Sequence, residues 1–146
     1  MVRSASPASA GAAVGASVTK LGFVAGQVVQ ELGYDDDVDE ELRAAIQAAC
    51  GTELQDEDAQ DVADSVLLWW REDDGDLVDA LVDTLTNLAD RGFVVLLTPK
   101  AGRDGYVDMS EVEEAALAAG LHASGAVNAA KDWSGTRLVA PRSPRR

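Results

Sequence analysis

Residues 65–97, SVLLWWREDDGDLVDALVDTLTNLADRGFVVLL, decide the fold because their apolar pattern changes period twice. The first six residues and the last five are continuous apolar runs rich in strand-forming residues, which predicts two strands buried on both faces. Between them, leucines recur at helical spacing, and Gly92 is predicted to end that helix. A strand, an amphipathic helix and a second buried strand predict a βαβ unit with parallel strands. The predicted buried stripe of the helix is Leu77, Leu81, Leu85 and Leu88.

A further strand and helix are predicted before this unit. The run QVVQEL at 27–32, closed by Gly33, predicts a first strand. One of Asp35, Asp36 or Asp37 is expected to cap the following helix, because a carboxylate there accepts backbone N–H groups and lies at the positive end of the helix dipole. The other predicted elements are a brief edge strand at 52–54, a short acidic helix at 56–63, a loop at 98–106, a helix from Asp108 or Ser110 to Gly120, and extended segments at 121–128 and 135–140.

Length and composition indicate one cytoplasmic domain. A chain of 146 residues is long enough to bury about two thirds of its extended surface. Its single cysteine, Cys50, leaves no intramolecular disulfide, and there is no apolar run of about 18 residues that would span a membrane. Residues 1–16 are rich in Ala, Ser and Gly and are predicted to be a disordered tail, as are the basic residues 142–146. The domain is expected at 17–141.

Charge is distributed unevenly along the chain. Residues 31–90 contain 20 acids and 2 bases, a net charge of -18, whereas the other residues contain 6 acids and 10 bases, a net of +4. An acidic half of this strength repels phosphates and anionic lipids, so neither nucleic acid nor a membrane is an expected partner. The face is interpreted as a solubilising surface or as a docking surface for a basic partner.

The ends of the predicted parallel strands are the candidate ligand site. In an open parallel sheet, ligands bind beyond the carboxyl ends of the strands. Trp69 and Trp70 are adjacent in one strand and should therefore point to opposite faces. The candidate crevice residues are Gly33, Tyr34, Asp35, Trp70, Arg71, Pro99 and Lys100.

A second candidate surface binds a protein partner. The segment KDWSGTR at 131–137 places Trp133 between two terminal strands, where it is either a lid over the core or an exposed aromatic anchor of an interface. The candidate partner-binding residues are Asp35, Asp36, Asp37 and Trp133.

Other arrangements give no catalytic set and no metal site. Residues 104–111 match the second half of a calcium loop, but the first and third ligand positions would be Lys100 and Gly102, where calcium needs oxygen ligands. His122 has no Cys or second His near it in sequence, so no zinc site is expected. Cys50 lies among alanines and is expected to be an inert buried thiol.

Several stretches carry a resemblance to a known family. YDDDVDEELRAAI, LLWW, LLTPKAGRDG and KDWSGTRLVAP are similar, within residues 17–141, to the actinobacterial DUF3052 family of proteins of unknown function. The order of elements also resembles a shortened Rossmann-like methyltransferase. The resemblance implies a small three-layer Rossmann-like α/β domain with a mostly parallel sheet and a C-terminal pair of strands.

The resemblance to methyltransferases is incomplete at the cofactor site. Such enzymes bind S-adenosylmethionine with a Gly-rich turn and with an acid that follows the second strand. Here Gly33 is followed by Tyr34 and three aspartates, and no clear second strand carries Glu53 into place. We therefore expect no cofactor and favour a non-enzyme.

Three hypotheses about function remain open. The first is a non-catalytic accessory or regulatory protein that acts through protein contact. The second, its main alternative, is a degenerate S-adenosylmethionine-dependent methyltransferase-like binder of small ligands. The third is a purely structural subunit. Genes of the resembling family often lie beside those of pyruvate dehydrogenase components, so the resemblance implies a component of the pyruvate dehydrogenase complex as partner.

Overall fold

The sheet contains five strands in the computed structural model, which describes residues 15–140. The strands are β1 (Val29–Leu32), β2 (Ala63–Trp69), β3 (Leu88–Pro99), β4 (His122–Asn128) and β5 (Trp133–Val139). Their order across the sheet is β1-β2-β3-β5-β4. β1, β2 and β3 are parallel, and β5 is antiparallel to both of its neighbours. This confirms the predicted α/β class and the C-terminal pair of strands.

Helices cover both faces of the sheet. Within residues 15–140 they are α1 (15–21), α2 (Glu40–Cys50), α3 (Leu77–Thr84) and α4 (Met109–Ala118), with a 3-10 turn at Glu72–Asp74. Because strand side chains alternate, the sheet divides the interior into two cores. Trp69 lies in the core under α1 and α2, and Trp70 lies in the core under α3 and α4, as predicted. The predicted strand residues Val66, Leu68, Val94 and Leu96 and the helix residue Leu81 are all buried.

The boundary between α3 and β3 differs from the prediction. The helix ends at Thr84, and β3 begins at Leu88, so Leu88 is a strand residue and Gly92 lies inside the strand. The Thr84 hydroxyl donates to the Leu81 carbonyl at 2.5 Å, an alternative hydrogen bond typical of helix ends. Arg91 has φ of 69° and precedes Gly92, where an added Cβ would lie 2.7 Å from the Asp64 carbonyl oxygen. At Gly92, where the sequence predicts the end of a helix, the structure therefore has a kink in β3.

A different aspartate from those predicted caps α2. Asp39 accepts a hydrogen bond from the Leu42 N–H at 2.8 Å. Asp37, one of the three predicted caps, instead pairs with Arg71. At the other end of the helix, Gly51 has the left-handed φ of 80° that suits a helix C-terminus.

The predicted edge strand and acidic helix at 52–63 are wrong in detail. Gln55 forms an isolated parallel bridge to Gln30 of β1, and no helix follows it. The carbonyl groups of Asp56, Glu57 and Ala59 accept hydrogen bonds from the Gln30 side-chain amide, and the Ala59 N–H bonds the Asp56 carbonyl in a turn. Ala63 already belongs to β2.

The remaining boundaries are close to those predicted. Thr98 and Pro99 belong to β3 rather than to the following loop, and α4 begins after Asp108. Residues 15 and 16 lie in α1. The rest of the predicted tails at 1–16 and 142–146 lies outside the described residues.

Candidate functional site

The carboxyl edge, where β1, β2 and β3 end, is closed on the α2 side by a buried ion pair. Glu31 of β1 has a side chain only 5% exposed and accepts hydrogen bonds from Arg43 at 2.7 and 2.8 Å. The same carboxylate accepts the indole N–H of Trp69 at 2.9 Å. These hydrogen bonds raise the pKa of Arg43, and its guanidinium also lies 4.7 Å from the centre of the Tyr34 ring. The Glu31 carboxylate is thus paired with groups of the protein itself.

Trp133, the first residue of β5, covers the α2 side of the carboxyl edge. Its ring meets Trp69 edge to face with centroids 4.8 Å apart, and its indole N–H donates to the Asp37 carbonyl at 3.3 Å. The Arg71 guanidinium lies 5.2 Å from the centre of the Trp133 ring, within range of a cation–π contact. Trp133 is therefore a structural lid and not an exposed anchor.

Arg71 joins the ends of β1 and β2. Its Nη1 donates to the Gly33 carbonyl at 2.8 Å and to the Trp69 carbonyl at 3.2 Å, and the guanidinium pairs with Asp37 and Asp74. Burial opposes its charge, but the hydrogen bonds and Coulomb attraction of the two carboxylates raise the pKa of Arg71 overall. In return, the hydrogen bond from Arg71 lowers the pKa of Asp37.

Gly33 makes this closure possible. Its φ is 79°, and an added Cβ would lie 2.2 Å from the Trp69 carbonyl oxygen. The chain after β1 therefore passes directly against β2 and leaves little room for a ligand at this point.

The α3 side of the carboxyl edge remains open. A cavity of about 610 Å³ lies between α3 and the segment 57–60, over the α3 face of β1. Aromatic and apolar walls are supplied by Leu32, Tyr34 and Trp70. Its polar lining consists of Gln30, Asp35, Glu57, Gln60, Arg71, Asp74, Asp83, Thr86 and Asn87.

Five of the seven predicted crevice residues line this cavity. They are Gly33, Tyr34, Asp35, Trp70 and Arg71. Pro99 and Lys100 do not line it, because Pro99 is buried in register with Trp133, and the Lys100 backbone bonds the Asp132 carbonyl.

The predicted partner-binding residues separate into exposed and buried groups. Asp35 and Asp36 are exposed, and Asp37 is half-exposed and paired with Arg71. Trp133 is 3% exposed, so the expectation of an aromatic anchor there is corrected by its packing against Trp69.

Sequence reasoning missed the amide side chains of the cavity. Gln30 is only 6% exposed and holds the carbonyl groups of three residues, while Asn87 bonds the Ala59 carbonyl at 3.0 Å. Glutamine is unusual inside a buried strand, and this was the signal in the sequence that could have indicated the amide side chains of the cavity.

Neither metal ligation nor a reactive thiol is evident in the part of the chain that the structure describes. Residues 15–140 contain no group of three or more His, Cys, Asp or Glu side chains arranged to hold a metal ion. Cys50 is buried, and this burial raises the pKa of its thiol. None of the helices within these residues is long and apolar enough to cross a membrane.

The fold is similar to that of Rossmann-like methyltransferases. It is similar to the pyocyanin biosynthetic protein PhzM, with a TM-score of 0.66 and 15% identity over 88% of this chain and 54% of that one. It is also similar to mitomycin 7-O-methyltransferase, with a TM-score of 0.59 and 11% identity over 89% and 54% of the two chains. This chain therefore spans about half the length of these two proteins. A methyltransferase from Aquifex aeolicus matches over 88% of its own length and 86% of this chain, with a TM-score of 0.56 and 13% identity.

The chain belongs to the family described as "Protein of unknown function (DUF3052)", which matches residues 18–142. An uncharacterized protein of Mycobacterium tuberculosis strain H37Rv is 51% identical over 124 residues, which are 85% of this chain and 78% of the relative. A protein of Mycobacterium bovis matches to the same extent. The predicted family and the Rossmann-like fold are thus confirmed.

Proposed function

We propose that this protein is a non-catalytic accessory or regulatory protein that binds a basic surface of another protein. The observation that carries the proposal is the closure of the α2 side of the carboxyl edge by Arg71, Asp37 and Trp133. In an open parallel sheet, this edge is where a cofactor would bind, and here the protein's own side chains fill its α2 side.

Charge supports a basic partner. The exposed carboxylates beside the carboxyl edge include Asp35, Asp36 and Asp58, and residues 31–90 have a net charge of -18. A field of this sign speeds association with a basic surface and weakens as salt screens it.

The test compares two triple substitutions with equal changes of charge. Asp35→Lys, Asp36→Lys and Asp58→Lys together reverse the carboxyl edge, while Asp90→Lys, Glu113→Lys and Glu114→Lys reverse exposed acids elsewhere. The immobilised partners are purified components of the pyruvate dehydrogenase complex, the partner that the family resemblance implies. We expect the first variant to bind more slowly at low salt and the second to resemble the unmodified protein. Equal rates for both variants, or binding that is indifferent to salt, would contradict the proposal.

A degenerate methyltransferase-like ligand binder is the second candidate. The open cavity of about 610 Å³ favours it, because pockets for small molecules have volumes in this range. A thermal melt with millimolar S-adenosylmethionine separates the two candidates. A ligand at about 100 times its dissociation constant adds about 2.7 kcal/mol to the free energy of unfolding, which raises the Tm measurably. We expect an unchanged Tm, whereas a rise would favour the ligand binder.

A further inference from the structure

The α3-side face of β1 is left open in the part of the chain that the structure describes. On the opposite face β1 is sealed, since Val29 is 1% exposed and belongs to the same core as Leu42 and Ile46 of α2. On the α3 side, Leu32 is only half-buried and lines the cavity of about 610 Å³. Within residues 15–140, β1 thus has a helical layer on one face and open space on the other.

The cavity has an apolar floor between two walls. Leu32 at the end of β1 and Leu68 and Trp70 at the end of β2 supply the floor. One wall is α3, which contributes Ala80, and the other is the segment 57–60. An apolar stripe between two walls is the shape that an amphipathic element fills.

The size of this space suits one face of a helix. Its lining extends from Asp74, before α3, to Thr86, after α3, so it is at least as long as that helix, about 12 Å. Neighbouring chains in a sheet lie about 4.8 Å apart, so β2, β1 and the segment that pairs with β1 at Gln55 give a width of about 10 Å. A helix with its side chains is about 10–12 Å across, so two to three turns match the floor.

Backbone pairing with β1 is not available to an occupant of this space. The outer edge of β1 is already used, because the Gln55 N–H donates to the Val29 carbonyl at 2.9 Å and the Glu31 N–H donates to the Gln55 carbonyl at 2.7 Å. A peptide that entered in extended form would lack these partners for its own N–H and C=O groups, whereas a helix satisfies its backbone internally. This favours a helix over an added strand.

Both walls carry negative charge. Asp74 and Asp83 lie on the α3 side, and Glu57 lies on the opposite wall. Arg71, at the carboxyl end of the cavity, already pairs with Asp37 and Asp74. A helix with an apolar stripe and with Lys or Arg on either side of that stripe therefore complements both the floor and the walls.

A second copy of this chain does not offer such a helix. Within residues 15–140, α3 and α4 contain no Lys or Arg, while α1 contains only Lys20 and α2 only Arg43. Each copy also carries a net charge of -14, which opposes its approach to an acidic cavity. The complementary helix therefore belongs to a different protein.

We propose that the cavity receives a basic amphipathic helix of the protein partner, with its apolar stripe on Leu32, Leu68 and Trp70 and its cations toward Glu57 and Asp83. This assignment rests on the proposed function, which takes the partner to be a protein with a basic surface. Binding should therefore depend on the spacing of the partner's apolar residues as well as on its charge.

The test is an NMR titration of the full-length ¹⁵N-labelled protein with three synthetic peptides of about 14 residues, a length at which a helix can form. The first has Leu and Lys at helical spacing in an alanine background, so that it is amphipathic. The second has the same composition with its leucines distributed around the helix, and the third has Gln in place of Lys. We expect the first to shift the backbone amides of Leu32 and Ala80 but not that of Ala126 on β4, and to bind at least about tenfold more tightly than the other two.

Two substitutions with the same change of charge locate the binding surface. Ala80→Arg places a large cation inside the cavity, and Ala118→Arg places one on the exposed side of α4. We expect the first to weaken binding of the amphipathic peptide by about tenfold or more and the second by less than about twofold.

A second pair of variants tests the charge without adding volume, and it decides the question if Ala80→Arg does not fold. Glu57→Gln with Asp83→Asn removes two exposed carboxylates of the cavity, while Glu53→Gln with Asp79→Asn removes two exposed carboxylates that do not line it. We expect the first double variant to weaken binding of the amphipathic peptide about fivefold, and the second to change it by less than about twofold.

Two results of the titration would overturn the proposal. If the amphipathic peptide and its isomer bind equally, or the cavity variants behave like their controls, the cavity does not receive a helix. If millimolar S-adenosylmethionine shifts the amides of Leu32 and Ala80 while the amphipathic peptide does not, the cavity is a site for a small ligand.

The association assay with components of the pyruvate dehydrogenase complex separates this proposal from the proposed function. If charge reversal at the carboxyl edge slows association but Ala80→Arg changes neither the association nor the dissociation rate, the partner does not use the cavity, and the proposed function stands without it. If the amphipathic peptide binds in the cavity as expected but charge reversal has no effect on association, the proposed function fails and the helix site remains.

Discussion

Asp37 and Arg71 tie the loop before α2 to the end of β2. Because Arg71 also holds the carbonyl groups of Gly33 and Trp69, this one guanidinium fixes the ends of two strands relative to each other. The pair therefore links the local structure of the loop to the closure of the carboxyl edge.

This ion pair predicts a specific dependence of stability on pH. The pKa of Asp37 is lower in the folded protein than in the unfolded chain, so its stabilising effect is present above the unfolded pKa. That effect is lost as pH falls through the folded value, below about pH 4. We expect Asp37→Asn to cost up to about 1 kcal/mol at pH 7, since Asp37 is half-exposed, and less at pH 2.

Urea unfolding at the two pH values measures this difference, with Asp36→Asn as the matched control because Asp36 is exposed. A constant gap between Asp37→Asn and the unmodified protein at both pH values would show that the pair does not contribute in this way.

Trp133 predicts a loss of stability rather than of binding. Its ring packs on Trp69 and supports Arg71, and it is 3% exposed. We expect Trp133→Ala to cost about 3–5 kcal/mol, because a large aromatic side chain is removed from a packed site. Denaturant unfolding measures the cost, and Tyr106→Ala, at a residue 40% exposed, is the comparison. Equal costs for the two variants would mean that the lid contributes no more than a surface ring.

The sequence could not decide between the two roles of Trp133. KDWSGTR is polar around the tryptophan, which suits either a lid or an interface anchor. Its burial depends on the antiparallel pairing of Pro99 with Trp133, which joins residues far apart in the chain. Gln30 was missed for a similar reason, because its role as a donor depends on where residues 56–59 fold.

At the scale of elements, the βαβ unit was predictable because periodicity alone defines it. The apolar runs became β2 and β3, and Leu77 and Leu81 face the sheet as the spacing predicts. The end of α3 was not predictable from spacing, because Leu85 and Leu88 fit a helix and the approach to a strand equally well. The cluster of Thr84, Thr86 and Asn87 is the local signal against helix that the leucine pattern concealed.

Leu81 is the residue by which α3 depends most on the sheet. It is fully buried in the core under α3 and α4, so Leu81→Ala should cost about 2–5 kcal/mol through lost burial and a residual cavity. Val82→Ala on the exposed side of the same helix should cost less, since Val82 is 49% exposed. Denaturant unfolding compares the two variants, and a smaller loss for Leu81→Ala than for Val82→Ala would contradict the packing described for α3.

At the scale of the whole molecule, charge and sheet order are related. β1 and β2 lie within the acidic stretch 31–90 or just before it, whereas β4 lies at the opposite side of the sheet. The strand β4, HASGAVN, contains no Asp, Glu, Lys or Arg, and its side chains are almost all exposed. The molecule therefore has one strongly charged flank and one neutral flank.

Because the neutral flank has no charge to oppose self-association, the solubility of the protein depends on the charged flank. An outermost strand offers backbone groups to which another chain can pair, and natural proteins often protect such strands with lysine or proline. Here that protection falls to long-range repulsion between copies that each carry a net charge of -14. Light scattering should thus show self-association that rises with salt and is suppressed by Ala126→Lys on β4 but not by Ala118→Lys on α4. If Ala126→Lys has no effect, a surface other than β4 limits solubility. If it suppresses self-association, the aspartates that would attract a partner also keep identical copies from pairing through their sheets.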